Sequence, residues 1–147
     1  MTRRFIDQVD DELRGLLGPA LRDFESVRSG SLIKLWYGDP DAHFEAQVVS
    51  ARWGPGGKPV VEVGLHLESS SPKRNDAVLE ALEKKRTTWS KKIPEAEAGK
   101  AIGPRSATWR RLSELIEAPD LEDPELASEV AEKLSSYVKA LEALLRT

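Results

Sequence analysis

Residues 43–68 read His43-Phe44-Glu45-Ala46-Gln47-Val48-Val49-Ser50-Ala51-Arg52-Trp53-Gly54-Pro55-Gly56-Gly57-Lys58-Pro59-Val60-Val61-Glu62-Val63-Gly64-Leu65-His66-Leu67-Glu68. Two β-like runs, 43–53 and 58–68, flank Gly54-Pro55-Gly56-Gly57. Glycine permits positive φ and proline fixes φ, so a four-residue link of this chemistry turns the chain back as a β-hairpin. Pairing Trp53 with Lys58 places Phe44, Ala46, Val48, Ser50, Val61, Val63, Leu65 and Leu67 on one face. The opposite face then holds His43, Glu45, Gln47, Val49, Glu62, Gly64, His66 and Glu68. The first face is almost wholly apolar and the second mostly polar. Side chains alternate along a strand, so a one-residue slip mixes the faces and is strongly disfavoured. The apolar face needs a cover, and helices are the available candidates.

The flanks supply those helices. Phe5, Val9, Leu13, Leu16 and Leu17 share one helical face, and Gly18-Pro19 interrupts it. Leu21, Phe24 and Val27 suggest a second short helix, closed by Ser29-Gly30-Ser31. Residues 1–31 thus read as a helical segment, and 32–147 as the α+β core of a single domain spanning 1–147. Leu32 to Tyr37 is rich in β formers and reads as a strand, ended by Gly38-Asp39-Pro40-Asp41. Beyond the hairpin, Ser71 caps and Pro72 opens a helix over 72–93, with Asn75 as a second candidate cap. Its stripe is Leu79, Leu82, Trp89 and Ile93, and Pro94 stops it. Residues 95–106 read as loop. Residues 106–113 read as a strand, although Leu112, Leu115 and Ile116 also have helical spacing. Asp123-Pro124-Glu125 opens a last helix along Leu126, Val130, Leu134, Tyr137, Leu141, Leu144 and Leu145. The expected fold is α+β: an antiparallel sheet of three to five strands, with the central and C-terminal helices on its apolar face. The N-terminal helices are expected to cover an edge or join a dimer.

With 147 residues, 39% hydrophobic and 32% charged, the chain can bury a core without staples. Cysteine is absent, which excludes disulfides, thiolate metal sites and cysteine nucleophiles. Met1-Thr2-Arg3-Arg4-Phe5 is followed by acidic residues rather than an apolar run, and no stretch has the length to span a bilayer. A cytoplasmic location without membrane contact is expected. The net charge of −3 divides unevenly: −3 over residues 1–72, +6 over 73–111 and −6 over 112–147.

Three constellations are candidates for chemistry. In the register above His43 stands opposite Glu68, and Glu45 opposite His66. A carboxylate can orient an imidazole and raise its pKa, as in a general base, and two imidazoles with two carboxylates can hold a divalent metal. The plainer reading is a solvated checkerboard of cross-strand ion pairs, and it is the one favoured; no metal and no cofactor is expected. Burial of that face would favour a site, because buried charge must be compensated. Second, Lys84, Lys85, Lys91 and Lys92 share one face of helix 72–93, a stripe suited to a polyanion or simply to water. Third, Trp36, Tyr37, Trp53, Trp89 and Trp109 can stack on ligands or fill the core; Trp53, beside the turn, is the one expected outside. No phosphate loop, nucleophile elbow or His-Glu-x-x-His is present. Glu62-Val63-Gly64 lacks the lysine of a nuclease Glu-x-Lys.

Lys34-Leu35-Trp36-Tyr37-Gly38, His43-Phe44-Glu45 and Val63-Gly64-Leu65-His66-Leu67-Glu68 resemble a family of small uncharacterised bacterial proteins with a hairpin–helix–strand–helix core. Asn75 and Trp109-Arg110-Arg111-Leu112 add to the likeness, which spans roughly residues 32–145. It implies an α+β domain and no activity, and its matching residues include His43, Glu45, His66 and Glu68. The leading expectation is a non-catalytic binding or protein-interaction module, with a protein partner or self-association. The alternatives are a nucleic-acid-associated protein using the basic face of helix 72–93, and a metal-dependent or hydrolytic enzyme at the histidine–glutamate face.

Overall fold

The computed structural model describes residues 2–146; Met1 and Thr147, the ends of the expected domain, lie outside the described residues. In chain order the elements are α1 (Thr2–Leu16), β1 (Glu25–Arg28), β2 (Leu32–Trp36), β3 (Ala42–Val49) and β4 (Val60–Leu67). They continue with α2 (Pro72–Glu83), α3 (Arg86–Trp89), β5 (Glu97–Lys100), β6 (Arg110–Glu117) and α4 (Pro124–Leu145). The strands form one sheet in the order β1-β2-β3-β4-β6-β5, with every neighbouring pair antiparallel. The α+β class holds, but the sheet has six strands rather than three to five.

The hairpin forms with its register moved by two. Ala42 pairs with Leu67, and pairing runs to Val49 with Val60, so residues 50–59 are the connection. That connection closes on itself before any ladder can reach Trp53. The amides of Trp53 and Gly54 both donate to the Ser50 carbonyl, and Pro55–Gly57 forms a turn of 3-10 helix with Gly56 at φ 64°. Pro59 has no amide to offer a ladder. A shift of two keeps each side chain on its face, so the polar and apolar faces are as expected while the cross-strand partners change.

Two strands come from segments read otherwise. Leu21, Phe24 and Val27 do not continue a helix. Residues 25–28 instead pair with β2 around Ser29-Gly30-Ser31, the Ser29 amide donating to the Leu32 carbonyl at 2.9 Å. Three apolar residues at i, i+3 spacing are too few to outweigh a tight turn that offers the chain a sheet edge. Within 95–106, residues 97–100 pair with β6 as the opposite edge. The strand expected at 106–113 lies four residues further on, because Thr108 and Trp109 bond back to the Arg105 carbonyl and fold 105–109 into a turn.

All four helices join the same hydrophobic cluster as the apolar sheet face. Asp123 caps α4 by accepting from the Glu125 amide at 3.0 Å, as its sequence predicts. Leu126, Val130, Leu134, Tyr137 and Leu141 of α4 are buried with Phe44, Val63 and Leu65 of the sheet. The first helix is not an edge cover: Phe5, Ile6, Val9 and Leu13 are as buried as any residue in the core, and α1 lies along α4. Burying a side chain of this size stabilises by about 1.5–3 kcal/mol, so α1 is integral to the fold.

The helix expected over 72–93 is two. Ser71 caps α2 by accepting from the Arg74 amide, but the helix ends at Glu83. The Leu82 carbonyl accepts from the Lys85 amide and from the buried Trp89 indole, each at 2.9 Å, which diverts it from the helical ladder. Asn75 is no cap. It is buried, and its side-chain amide exchanges two hydrogen bonds with the Ser69 backbone while also donating to the Thr108 carbonyl. It thereby ties the β4–α2 connection to the entrance of β6. Among the described residues, no helix is long and apolar enough to cross a membrane.

Candidate metal centre

The sheet face opposite the helices carries the polar side chains of β3 and β4, and the actual register rearranges them. His43 faces His66 directly, and their rings stack 5.8 Å apart at 19°. Glu45 stands opposite Gly64, not His66, and Glu68 follows just beyond β4. The histidine–carboxylate contacts therefore run along each strand as well as across. Residues two apart on a strand share a face, so His43 reaches Glu45 and His66 reaches Glu68.

Four donor atoms form a closed cycle. His43 Nε2 is 2.9 Å from Glu45 Oε1, which is 3.7 Å from His66 Nδ1. His66 Nδ1 is 3.2 Å from Glu68 Oε2, which is 3.7 Å from His43 Nε2. All four residues offer atoms within 4.8 Å of one another. Four ligands bound at about 2.1 Å in a tetrahedron stand about 3.4 Å apart, which falls within this range of sides.

The checkerboard is not solvated. His43, Glu45, Glu62 and His66 retain only 2–4% of their accessible surface. Burial of imidazoles and carboxylates together is costly unless each finds a partner. The His43 Nδ1–H donates to the Pro40 carbonyl at 2.9 Å, from the turn before β3. A carbonyl can only accept, so this bond places the hydrogen on Nδ1 and turns Nε2 toward the carboxylates.

At the other ring, His66 Nε2 lies 3.0 Å from Glu62 Oε2 yet off the direction a hydrogen bond requires. Among the described residues it is the one buried side-chain nitrogen or oxygen without a hydrogen-bond partner. Burial works to lower the His66 pKa, but the charge of Glu45 and the carboxylates of Glu62 and Glu68 outweigh it and hold the pKa up at about 10. Burial likewise pushes the Glu62 and Glu68 carboxyls up. His66, Ser113 and Arg111 outweigh it at Glu62, and His66, His43 and Lys34 outweigh it at Glu68, so both lie below the ordinary carboxylate range. The face thus carries three carboxylates against two fixed cations at its margins, Lys34 at 3.5 Å from Glu68 and Arg111 at 3.3 Å from Glu62. A protonated His66 balances the third carboxylate, and a divalent ion bound between the imidazoles would take over that charge as it displaces the proton.

Sequence reasoning named the four donors but not Glu62, Ser113 or Arg111 as their neighbours. Glu62 was visible in the 62-64-66 alternation, which puts it on the face of His66. Ser113 and Arg111 depend on the placement of β6, which was displaced in the sequence reading.

Lys84 and Lys85 lie in the turn between α2 and α3, and Lys91 and Lys92 lie beyond α3, so no continuous helix aligns them. Lys84 is exposed and pairs with Glu80 at 3.6 Å. Of the aromatics, Trp89 is core, while Trp53 is 42% exposed under Arg52. No protein-family model matches the chain, and neither a curated protein nor a solved structure matches it.

Proposed function

We propose that the chain is a non-catalytic binding module whose ligand is one divalent transition-metal ion, held by His43, Glu45, His66 and Glu68. The observation that carries this reading is the closed cycle of four donor atoms within 4.8 Å, on a face where burial leaves charge in need of compensation. Two imidazole nitrogens with two carboxylate oxygens suit zinc, cobalt, iron(II) or nickel; magnesium and calcium prefer all-oxygen shells. Four protein ligands are the number found in structural zinc sites, whereas catalytic sites use three and keep a position open. Glu68, with 11% of its side chain exposed, is the most accessible of the four and marks the side from which an ion enters. The sequence reading expected no metal because it placed these residues in water; their burial is what supports the change.

The test is titration of metal-stripped protein with zinc and cobalt(II), with magnesium as control, read by calorimetry and thermal melting. One equivalent is expected to bind. At one hundred times its dissociation constant the ion stabilises by about 2.7 kcal/mol, which raises Tm by roughly 5–11 °C for a domain of this size. His43→Ala and His66→Ala each remove that gain. No uptake, or a gain that survives both substitutions, refutes the proposal.

A further inference from the structure

We infer that Glu62 is a positioning residue of this centre: it holds the far edge of the His66 ring so that Nδ1 faces the ion. The inference rests on the proposed metal-binding reading and adds to it a fifth residue that supplies no ligand atom.

The two rings are arranged alike. Each points one nitrogen into the four-atom cycle, Nε2 for His43 and Nδ1 for His66. Each then needs an acceptor for the hydrogen on its other nitrogen, because a neutral imidazole that donates its lone pair to a metal carries its hydrogen on the far side. Pro40 supplies that acceptor for His43 at 2.9 Å. For His66 the group in the corresponding place is Glu62 Oε2, 3.0 Å from Nε2. The hydrogen bond itself is not made, and Nε2 is left as the unpartnered buried nitrogen. A small rotation of the ring, as Nδ1 is drawn toward an ion, re-aims Nε2–H at the carboxylate.

Glu62 is built to wait there. It is 2% exposed, its Oε2 accepts from Ser113 Oγ at 2.7 Å, and Arg111 Nε stands 3.3 Å away. Arg111 Nε in turn donates to Ser113 Oγ at 2.6 Å, so strand β6 holds the same carboxylate oxygen that faces the histidine. Gly64 lies between Glu62 and His66 on the same face of β4, and a Cβ there would lie 2.6 Å from Ser113 Cβ, so its missing side chain leaves room for the serine that holds Glu62. This network of carboxylate, serine and arginine has no other visible task on a face already crowded with charge.

The experiment compares the whole chain with Glu62→Gln and Ser113→Ala, using cobalt(II) as both ligand and visible-absorption probe. Glu62→Gln is expected to keep the metal-free circular dichroism spectrum and the one-to-one stoichiometry. Its affinity should fall about 10–100-fold, with an altered absorption band, as for other outer carboxylates behind a metal-bound histidine. Ser113→Ala, which frees the carboxylate without removing it, should weaken binding by less than Glu62→Gln. A residue of purely structural importance would lower the metal-free Tm and leave the affinity and spectrum of the folded fraction unchanged. Glu62→Gln binding within twofold of wild type with the same band overturns the inference while leaving the four-ligand reading intact. If wild type takes up neither cobalt(II) nor zinc, the metal reading itself fails and takes this role with it. Should Glu62→Gln not fold, Ser113→Ala decides: unchanged affinity and spectrum overturn the role.

Discussion

Replacing Gly64 with alanine would place a methyl group where β4 and β6 come closest. Gly64 pairs with Glu45 on one side and Ser113 on the other, at φ 151°. A Cβ built there lies 2.5 Å from Ser113 Cα and 2.6 Å from the Leu112 carbonyl oxygen, both backbone atoms that cannot swing aside. Forcing a methyl into packed surroundings costs about 1–3 kcal/mol. A side chain in that positive-φ region adds about 1–3 kcal/mol more. The sum is roughly 2–6 kcal/mol, a drop in Tm of roughly 4–24 °C for a domain this size. Urea denaturation followed by circular dichroism reads it as a lower midpoint at unchanged slope. Gly99→Ala is the matched control in the same sheet. Its Cβ meets nothing within 4 Å, and the expected change is within about 0.5 kcal/mol. If Gly64→Ala melts within a degree or two of wild type, the close approach of β4 to β6 at Ser113 is not a constraint.

Other outcomes follow from single contacts. Asp123→Ala removes the α4 cap and should cost about 1 kcal/mol in chemical denaturation; no loss would show that Pro124 alone suffices to start the helix. Trp89→Phe keeps most of the buried volume but forfeits the bond to the Leu82 carbonyl, for about 1 kcal/mol, with amide exchange at Lys85 to Ser90 as a local readout of the α2–α3 junction. Burial, then the charge of Glu142, raise the Tyr37 hydroxyl to about 12, Arg146 opposing them. Because the folded value lies above the unfolded one, this stabilisation is whole below pH 10 and is lost as pH climbs toward 12. Titration of phenolate absorbance in the native protein should therefore be less than half complete at pH 10, and completion there would contradict the burial of this ring.

The parity of the hairpin was legible because it depends only on alternation: Phe44, Ala46, Val61, Val63 and Leu65 fall inward under any even register. The register was not, because it depends on where the turn stops accepting ladder bonds. Ser50 captures two amides at once, a choice that the glycines at 54, 56 and 57 do not announce. Glu97-Ala98-Gly99-Lys100 has almost no strand signal of its own; it is a strand because β6 presents an unpaired edge to it. The four donors were legible as a set. Their burial was not, since alternation gives a shared face but not what meets it there, and Lys34 from β2 and Arg111 from β6 reach its carboxylates from other strands. The helix break at Lys84-Lys85 is set by the tertiary placement of the Trp89 indole, which no local propensity encodes.

The outermost strands, β1 and β5, are only four residues each, and both carry a carboxylate and a cation: Glu25 and Arg28, Glu97 and Lys100. An incoming polypeptide seeking to extend the sheet would find a rail too brief to hold it and flanked by charges it must desolvate. The flanks of the sheet are in this way poor templates for runaway polymerisation.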